Sequence, residues 1–375
     1  MSEKIPLYVD DLRSEEFLLN MGPQHPSTHG VLRVVLKMDG ETVRDIVPYI
    51  GYIHRGMEKL FENRRYEQIM PYTDRTDYLS SINNNFAYAR AVEQLMGIRI
   101  PERAEFMRVI AAELNRIQSH LLWFGAYGLD VGALTPFLYA FREREEILEM
   151  LEDSTGGRLT HNYFRIGGFM YDLPKGFAAK LKKFTSHFRK KVKEYEALLI
   201  DNVIFVKRTR GVGIIDQATA INCGMSGPSL RGSDCAIDVR KDEPYSVYSR
   251  FDFNVPTGKH GDTWDRCHVR MVEMRESVHI LEQAMEMIPS GPFREKVPKI
   301  LKPPAGEAYT RVEGPRGQIG FYIVSDGTEK PYRIKMRAPS FSNLSAVREM
   351  AKGILIADIV AVLGSLDLVI PEIDR

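Results

Sequence analysis

From about residue 58 to residue 202 the chain repeats its apolar side chains at helical spacing, and this stretch narrows the possible folds more than any other feature. Phe106, Val109, Ile110, Leu114, Ile117, Leu121 and Phe124 fall on one stripe, the pattern of a helix that buries one face. Gly125 and Gly128 are expected to end that helix. Thr135-Pro136 then offers a cap followed by proline at the first helical position, opening a helix through FLYAFREREEILEMLED. A third helix, about 177–200, follows Pro174. A fourth spans roughly 263–288, with Val272, Val278, Leu281 and Met285 facing inward. Such lengths joined by short connections predict an antiparallel bundle.

Small β elements frame these helices. VLRVVLKM and TVRDIVPYI flank Asp39-Gly40, and GQIGFYIVSDG and PYRIKMRA are joined through Asp326-Gly327 and Pro331. Asp-Gly between two β-rich runs favours a tight hairpin turn. Residues 203–260 are rich in glycine, proline and turn formers, so only short strands are expected there. A helix over 345–364 closes the sequence. The expected fold is mainly α with small β elements (α+β). Its parts are 1–57, an N-terminal β-hairpin region carrying the HPSTHG loop; 58–202, a helical bundle; and 203–375, a second helical and β part completing the same domain.

Composition excludes several functions. Lysine plus arginine number 51 and aspartate plus glutamate 50, so nothing favours bulk binding to nucleic acid or anionic lipid. Cys223, Cys235 and Cys267 make an odd count with no CxxC pair, against a disulfide framework or a cysteine-held metal. The charged start MSEKIPLYVDDLRSEEF lacks a signal peptide's apolar core. GILIADIVAVLGSLDLVI is interrupted by Asp358 and Asp367, which favours a buried helix over a membrane span. Gly211-Val212-Gly213 and Gly167-Gly168 stand outside any GxGxxG unit, and no P-loop is present, so no nucleotide is expected.

Few residues suggest chemistry by themselves. His25 and His29 lie four apart in GPQHPSTHG, but Pro26 between them removes the helical metal pair, and Ser27 and Thr28 favour local turn bonding. Tyr78 sits in PYTDRTDYLSS, a polar run before a helix. Asp130, in LDVGALTP, reads as a helix-end group. Glu113 and His120 read as core polar groups satisfied by neighbours. Unaided, these signals define a mostly helical protein with a few polar loops.

NMGPQHPSTHGVLR, GYIHRGMEKL, RTDYLSS, GALTPFLYAFRERE, RIGG, PYRIKMRAPSF and the terminal DR, in that order, resemble the 49-kilodalton subunit family of respiratory complex I over nearly the whole length. That family is related to the large subunit of nickel–iron hydrogenases, whose helical core it shares, with N-terminal and C-terminal β hairpins. The two cysteine pairs of the hydrogenases would fall at Asp77 and Ser80 and at Val369 and Glu372, where this chain has no thiolate to hold a metal. The resemblance therefore implies a quinone as substrate in the old metal cavity, with no metal or nucleotide on this chain.

By that resemblance Tyr78 donates to one quinone carbonyl, His29 to the other, and Asp130 orients His29. His25, Pro26, Ser27 and Thr28 line the pocket loop. Reduction adds two electrons and two protons, so donors able to release a proton are needed at both oxygens. Electrons would come from an iron–sulfur cluster in the adjacent subunit, with Arg75 and His161 near it. The family usually has a histidine where this chain has Thr160, with His161 one place later, and KILKPPAGEAY is shorter than the family's stretch there. The implied partners are the complex's iron–sulfur subunit, its 30-kilodalton subunit and the membrane subunit at the quinone channel, all at the cytoplasmic face of a bacterial inner membrane. The implied enzyme is a proton-translocating NADH:quinone oxidoreductase, of which this chain is one component, inactive in isolation. The alternatives are a nickel-bearing hydrogenase-like subunit and a purely structural scaffold.

Overall fold

A computed structural model of the chain describes residues 16–24 and 30–375. The expected pocket loop, His25 to His29, lies outside the described residues. The first sheet is antiparallel, in the order β1 (Glu16–Met21), β2 (Arg33–Asp39) and β3 (Thr42–Tyr49). Its hairpin turns at Gly40, with Asp39 opposite Thr42, as the Asp-Gly signal requires. β1 has no counterpart in the sequence signals: most of its side chains stay partly exposed, so EFLLNM shows no clean alternation.

Next come α1 (Met57–Phe61), α2 (Tyr66–Thr73), α3 (Ser81–Met96), α4 (Glu102–Asp130) and α5 (Thr135–Thr155). The RIGG segment makes a two-stranded turn, β4 (Phe164–Arg165) with β5 (Gly168–Phe169). α6 (Phe177–Tyr195) runs into a π-helical turn over Glu196–Ile200, so the third predicted helix is present with its last turn widened. α7 (Val203–Thr209), α8 (Gln217–Asn222), α9 (Gly227–Arg231) and α10 (Val239–Asp242) precede the long α11 (Thr263–Met287). The second three-stranded sheet follows, β6 (Gly306–Gly314), β7 (Gly317–Ser325) and β8 (Arg333–Arg337), in that order and antiparallel. α12 (Pro339–Ser345), α13 (Val347–Met350), α14 (Ile356–Ser365) and α15 (Ile370–Asp374) complete it. The architecture is mixed, long helices with small antiparallel sheets.

Four expectations need correction. α4 does not stop at Gly125 or Gly128 but continues to Asp130. A Cβ on Gly125 would stand 3.1 Å from the Phe137 Cα, and one on Gly128 would stand 3.0 Å from the Pro136 ring. These glycines permit α5 to lie close against α4. The residue preceding α5 is Leu134, with Pro136 in its first turn, so Thr135 is not the capping side chain. The 203–260 region forms short helices, with no strand among the described residues. The expected 345–364 helix is broken, because Gly353 and Ile354 leave it to pair with β3: Gly353 N–H donates to the Val43 carbonyl and Val43 N–H to Ile354. On α11, Val278 and Leu281 are buried, whereas Val272 and Met285 are only partly so.

Two apolar cores result. The larger joins α3, α4, α6, α11 and the second sheet, with Phe86, Phe124, Leu281 and Phe321 fully buried. The smaller packs the first sheet on α14 and α15, through Val34, Leu36, Leu363 and Ile370. At their junction α9 meets the β6–β7 turn. A Cβ on Gly227, whose φ is +66°, would stand 2.3 Å from the Gly317 Cα and 2.8 Å from the Arg316 carbonyl carbon. Both the left-handed backbone and the close approach demand glycine there. Gly227→Ala should therefore destabilise the chain by about 1–3 kcal/mol. The check is the thermal midpoint of the purified chain, and an unchanged midpoint would refute the close fit.

Candidate functional site

Tyr78 is placed by its neighbour. Within the α2–α3 loop the Asp77 Oδ1 accepts the N–H groups of Leu79 and Ser80, both at 3.1 Å, a local turn that pins the backbone on one side of the tyrosine. Asn115 of α4 reaches across to donate to the Leu79 carbonyl at 3.1 Å. The ring is left 39% exposed. Burial, chiefly, holds the Tyr78 hydroxyl above its ordinary range. The charges of Asp77 and Asp367 act the same way, and Arg316 acts against them. At neutral pH the hydroxyl keeps its proton and can donate.

Beneath the tyrosine lies a charge cluster. Arg316, from the β6–β7 turn, donates to Asp77 Oδ2 at 2.7 Å and lies 3.4 Å from Asp367 Oδ1. Glu372 of α15 adds a third carboxyl, its Oε2 accepting the Ser340 N–H at 3.0 Å. Asp77, Arg316 and Glu372 are almost wholly buried, and Asp367 nearly so. Burial first, then the charge of Asp77, pushes Glu372 up to about 8. Asp77 is raised too, by burial first, with Arg316 opposing and Asp367 reinforcing. Asp77 of the α2–α3 loop and Glu372 of α15, far apart in sequence, thus come close enough for their charges to act on one another.

The segment from α14 to α15 gathers the other expected residues. Trp123 donates to the Gly364 carbonyl at 2.8 Å and Tyr127 to Ala361 at 3.1 Å, seating the end of α4 on α14. A Cβ on Gly364 would stand 3.5 Å from Asp130 Oδ2. Asp130, the last residue of α4, is partly buried there. Gly30, which ends the HPSTHG loop, lies against α15: a Cβ on it would stand 3.0 Å from Ile370 Cγ1. His25, Pro26, Ser27, Thr28 and His29 lie outside the described residues.

The terminal Asp374-Arg375 does mechanical work. The Asp374 carboxylate accepts the N–H groups of Gly51 and Ile53 at 2.7 and 2.9 Å, and its carbonyl lies 2.6 Å from His54 Nδ1. Arg375 donates to the Met336 carbonyl at 2.6 Å. Arg55 in turn donates to the Arg75 carbonyl at 2.9 Å. The GYIHRG segment is thereby tied at one side to the terminal residues and at the other to the tyrosine loop.

Arg75 has half its side chain exposed, with Nη1 donating to Pro71 at 2.6 Å and standing 3.6 Å from Asp74. The loop carrying Thr160 and His161 packs against the start of α3, Ser81 Oγ donating to the Leu159 carbonyl at 3.1 Å. His161 itself is buried, with Nδ1 3.0 Å from the Gly157 carbonyl and Nε2 without a hydrogen-bond partner among the described residues. Burial lowers it to about 4, so it is neutral at physiological pH. Sequence reasoning passed over Asp74, Arg316 and Asp367 as site groups. Asp74 is fully buried and raised by burial to about 7, against the pull of Asn85 and Arg75. The only sequence signal for Asp367 was an acid inside an apolar run.

No group of three or more metal-ligating side chains occurs among the described residues, and none of their helices is long and apolar enough to cross a membrane. A groove of about 450 Å³ between α6 and α11, lined by Leu181, Thr185, Leu281 and Met285, shares no residue with this cluster.

Two outcomes test the electrostatics. Removing Arg316 leaves buried carboxylates uncompensated, so Arg316→Gln should cost about 3–5 kcal/mol in chemical denaturation of the purified chain. Equal stability would mean the carboxyls are neutral without it. Asp74 is raised on folding, so the unfolded chain loses that proton first and stability falls as pH rises from about 4 to 7. Asp74→Asn should therefore exceed the wild type in stability at alkaline pH, with the gain vanishing in acid. A gain that does not change with pH would refute the assignment.

Residues 130–375 match the family model described as "Respiratory-chain NADH dehydrogenase, 49 Kd subunit". Among similar curated proteins, the NADH-quinone oxidoreductase D subunit of Desulforamulus reducens is 53% identical over 363 residues, covering 97% of this chain and 99% of that protein. The D subunits of Bacillus cytotoxicus and Bacillus anthracis are 51% and 52% identical over 364 residues, each covering 97% of this chain and 100% of the relative.

Proposed function

The chain belongs to the 49-kilodalton subunit family of respiratory-chain NADH dehydrogenases, and on that premise we propose that it is the quinone-reducing subunit of an NADH:quinone oxidoreductase. The observation that carries the reading is Tyr78: an accessible phenol, held protonated, on a loop whose backbone is fixed on both sides. A donor of this kind is what a carbonyl oxygen gaining negative charge requires.

In this reading the quinone head group lies over Tyr78, between the α2–α3 loop and the α14–α15 segment. Tyr78 gives a proton to one oxygen and His29 to the other, while Asp130 orients His29 and holds its charge. His25, Pro26, Ser27 and Thr28 complete the pocket loop that ends at Gly30, against Ile370. The two electrons come from an iron–sulfur cluster of the neighbouring iron–sulfur subunit, which Arg75 and the His161 loop would face. The low proton affinity of buried His161 supports leaving it out of any proton-linked effect near neutral pH. No metal or nucleotide is held by this chain.

The convergence of the Asp77–Ser80 and Val369–Glu372 positions supports descent from a nickel–iron hydrogenase large subunit, with Arg316 and carboxyls standing where thiolates and metal stood. The three segments 1–57, 58–202 and 203–375 then form one hydrogenase-like domain. The 30-kilodalton subunit and the membrane subunit at the quinone channel are the further partners. They hold the chain peripherally at the cytoplasmic face of a bacterial inner membrane and couple quinone reduction to proton translocation.

Tyr78→Phe in the assembled complex should lower quinone reduction by roughly 10²–10⁴-fold, the usual worth of a positioned proton donor. Electron transfer to an artificial acceptor upstream should be unchanged. Normal quinone turnover in this variant would remove Tyr78 from the chemistry and leave the chain as scaffold.

A further inference from the structure

Three buried carboxyls share the neighbourhood of one guanidinium that bonds two of them. Arg316 bonds Asp77 at 2.7 Å and reaches Asp367 at 3.4 Å, and among the described residues Glu372 has no arginine within bonding distance. The Glu372 Oε1 and the Asp367 Oδ2 are buried without a hydrogen-bond partner among the described residues, which suits a carboxyl that still carries its proton better than a full set of anions. Four other elements bear on the cluster. Arg270 of α11 faces Asp367 and Arg316, Arg337 of β8 faces Glu372, Ser340 of α12 donates to Glu372, and the Tyr78 hydroxyl feels Asp77, Asp367 and Arg316.

We propose that Glu372 and Asp77 hold one proton between them across Arg316, and that this pair is the reserve from which the Tyr78 oxygen is reprotonated after it has given its own proton to quinone. The idea rests on the reading that Tyr78 faces the quinone. The balance is closed. Two electrons arrive from the iron–sulfur donor, the Tyr78 O–H bond breaks and an O–H bond forms at one quinone oxygen, while the other oxygen takes the second proton from His29. The resulting tyrosinate then takes the proton of the pair, which becomes a dianion beside Arg316 until solvent refills it. Asp77 precedes Tyr78 in the chain, so the charge of the pair is felt at the phenol directly. Asp77, bonded to the guanidinium, is the member that stays ionised. Glu372, lacking that bond, carries the proton, and its raised affinity agrees with this placement. Glu372 touches no substrate. It is a positioning residue that acts through Tyr78.

The test uses the assembled complex with Glu372→Gln, which keeps size and neutrality but cannot release a proton, and Glu372→Asp, which can. In the wild type, quinone turnover should fall as pH rises through the alkaline range where the pair loses its proton. Glu372→Gln should lower kcat roughly tenfold or more at neutral pH without raising KM for quinone, and should abolish that alkaline fall. Glu372→Asp should restore both, with the limb displaced. Infrared difference spectra should show a protonated-carboxyl band at neutral pH that Glu372→Gln removes. Wild-type kcat and pH profile in Glu372→Gln would overturn the proposal, as would an infrared band that survives the substitution. If Tyr78→Phe keeps full quinone turnover while the Glu372 band is intact, the quinone reading has failed instead, and the proton on Glu372 stands without that role.

Discussion

The Arg316 guanidinium is the interaction on which the site's geometry depends. Its planar fork suits carboxylates from two directions, and here it receives Asp77 from the α2–α3 loop and Asp367 from the α14–α15 segment. Neither segment is regular structure at that point, and Asp367 has a φ of +56°. Taking these charges out of water is costly, and apolar residues of the same size would serve stability as well or better. What the ion pairs add is definition: they admit one arrangement of two irregular segments, and Tyr78 inherits its position from that arrangement.

A second buried charge network orders the region between α7 and α11. Arg231 bonds Glu313 at 2.8 Å and Glu273, while Arg240 bonds Asp238 at 2.7 Å and Glu113 at 3.1 Å. Glu113 also accepts from Tyr248 and Ser277, each at 2.6 Å. Burial would raise that carboxyl, but Arg116 and Arg240 outweigh it and hold it at about 2. Glu113 therefore stays ionised over the whole physiological range. These bonds, together with buried apolar side chains such as Tyr248 and Phe253, fasten the segment that carries α9 and α10 onto α4 and α11.

What could be read from the residues follows from the range of the forces involved. The α4 stripe and the two Asp-Gly turns are local, and they were legible. The end of α4 was not, because Gly125 and Gly128 act as contacts for α5 and not as stops. The short helices between 203 and 260 were missed because at four to seven residues they are too short to show a period, and α9 and α10 are held by Arg231 and Arg240 pairing with distant carboxylates. Glu113 was correctly read as a satisfied core group, bonded by arginine, tyrosine and serine side chains, whereas His120 is satisfied on one side only: its Nε2 lies 2.9 Å from Glu273 and its buried Nδ1 has no partner among the described residues. At the site, Tyr78 and Asp130 could be singled out by resemblance, but Arg316 and Asp367 lie in unrelated stretches. Only folding brings them to Asp77.

The distance in sequence between the partners has a consequence for how the protein is made. Asp77 and Arg316 are 239 residues apart, and the Gly51–Asp374 contact spans 323. At about 5–20 residues per second, the tyrosine loop leaves the ribosome on the order of tens of seconds before its counter-charge exists. During that interval the helices from α3 to α6 can already pack, while Asp77 stays hydrated and the loop unset. Synthesis therefore yields a bundle first and a site last, and a chain halted before α14 would hold Arg316 beside Asp77 yet lack the Asp367 and Glu372 carboxyls that complete the cluster.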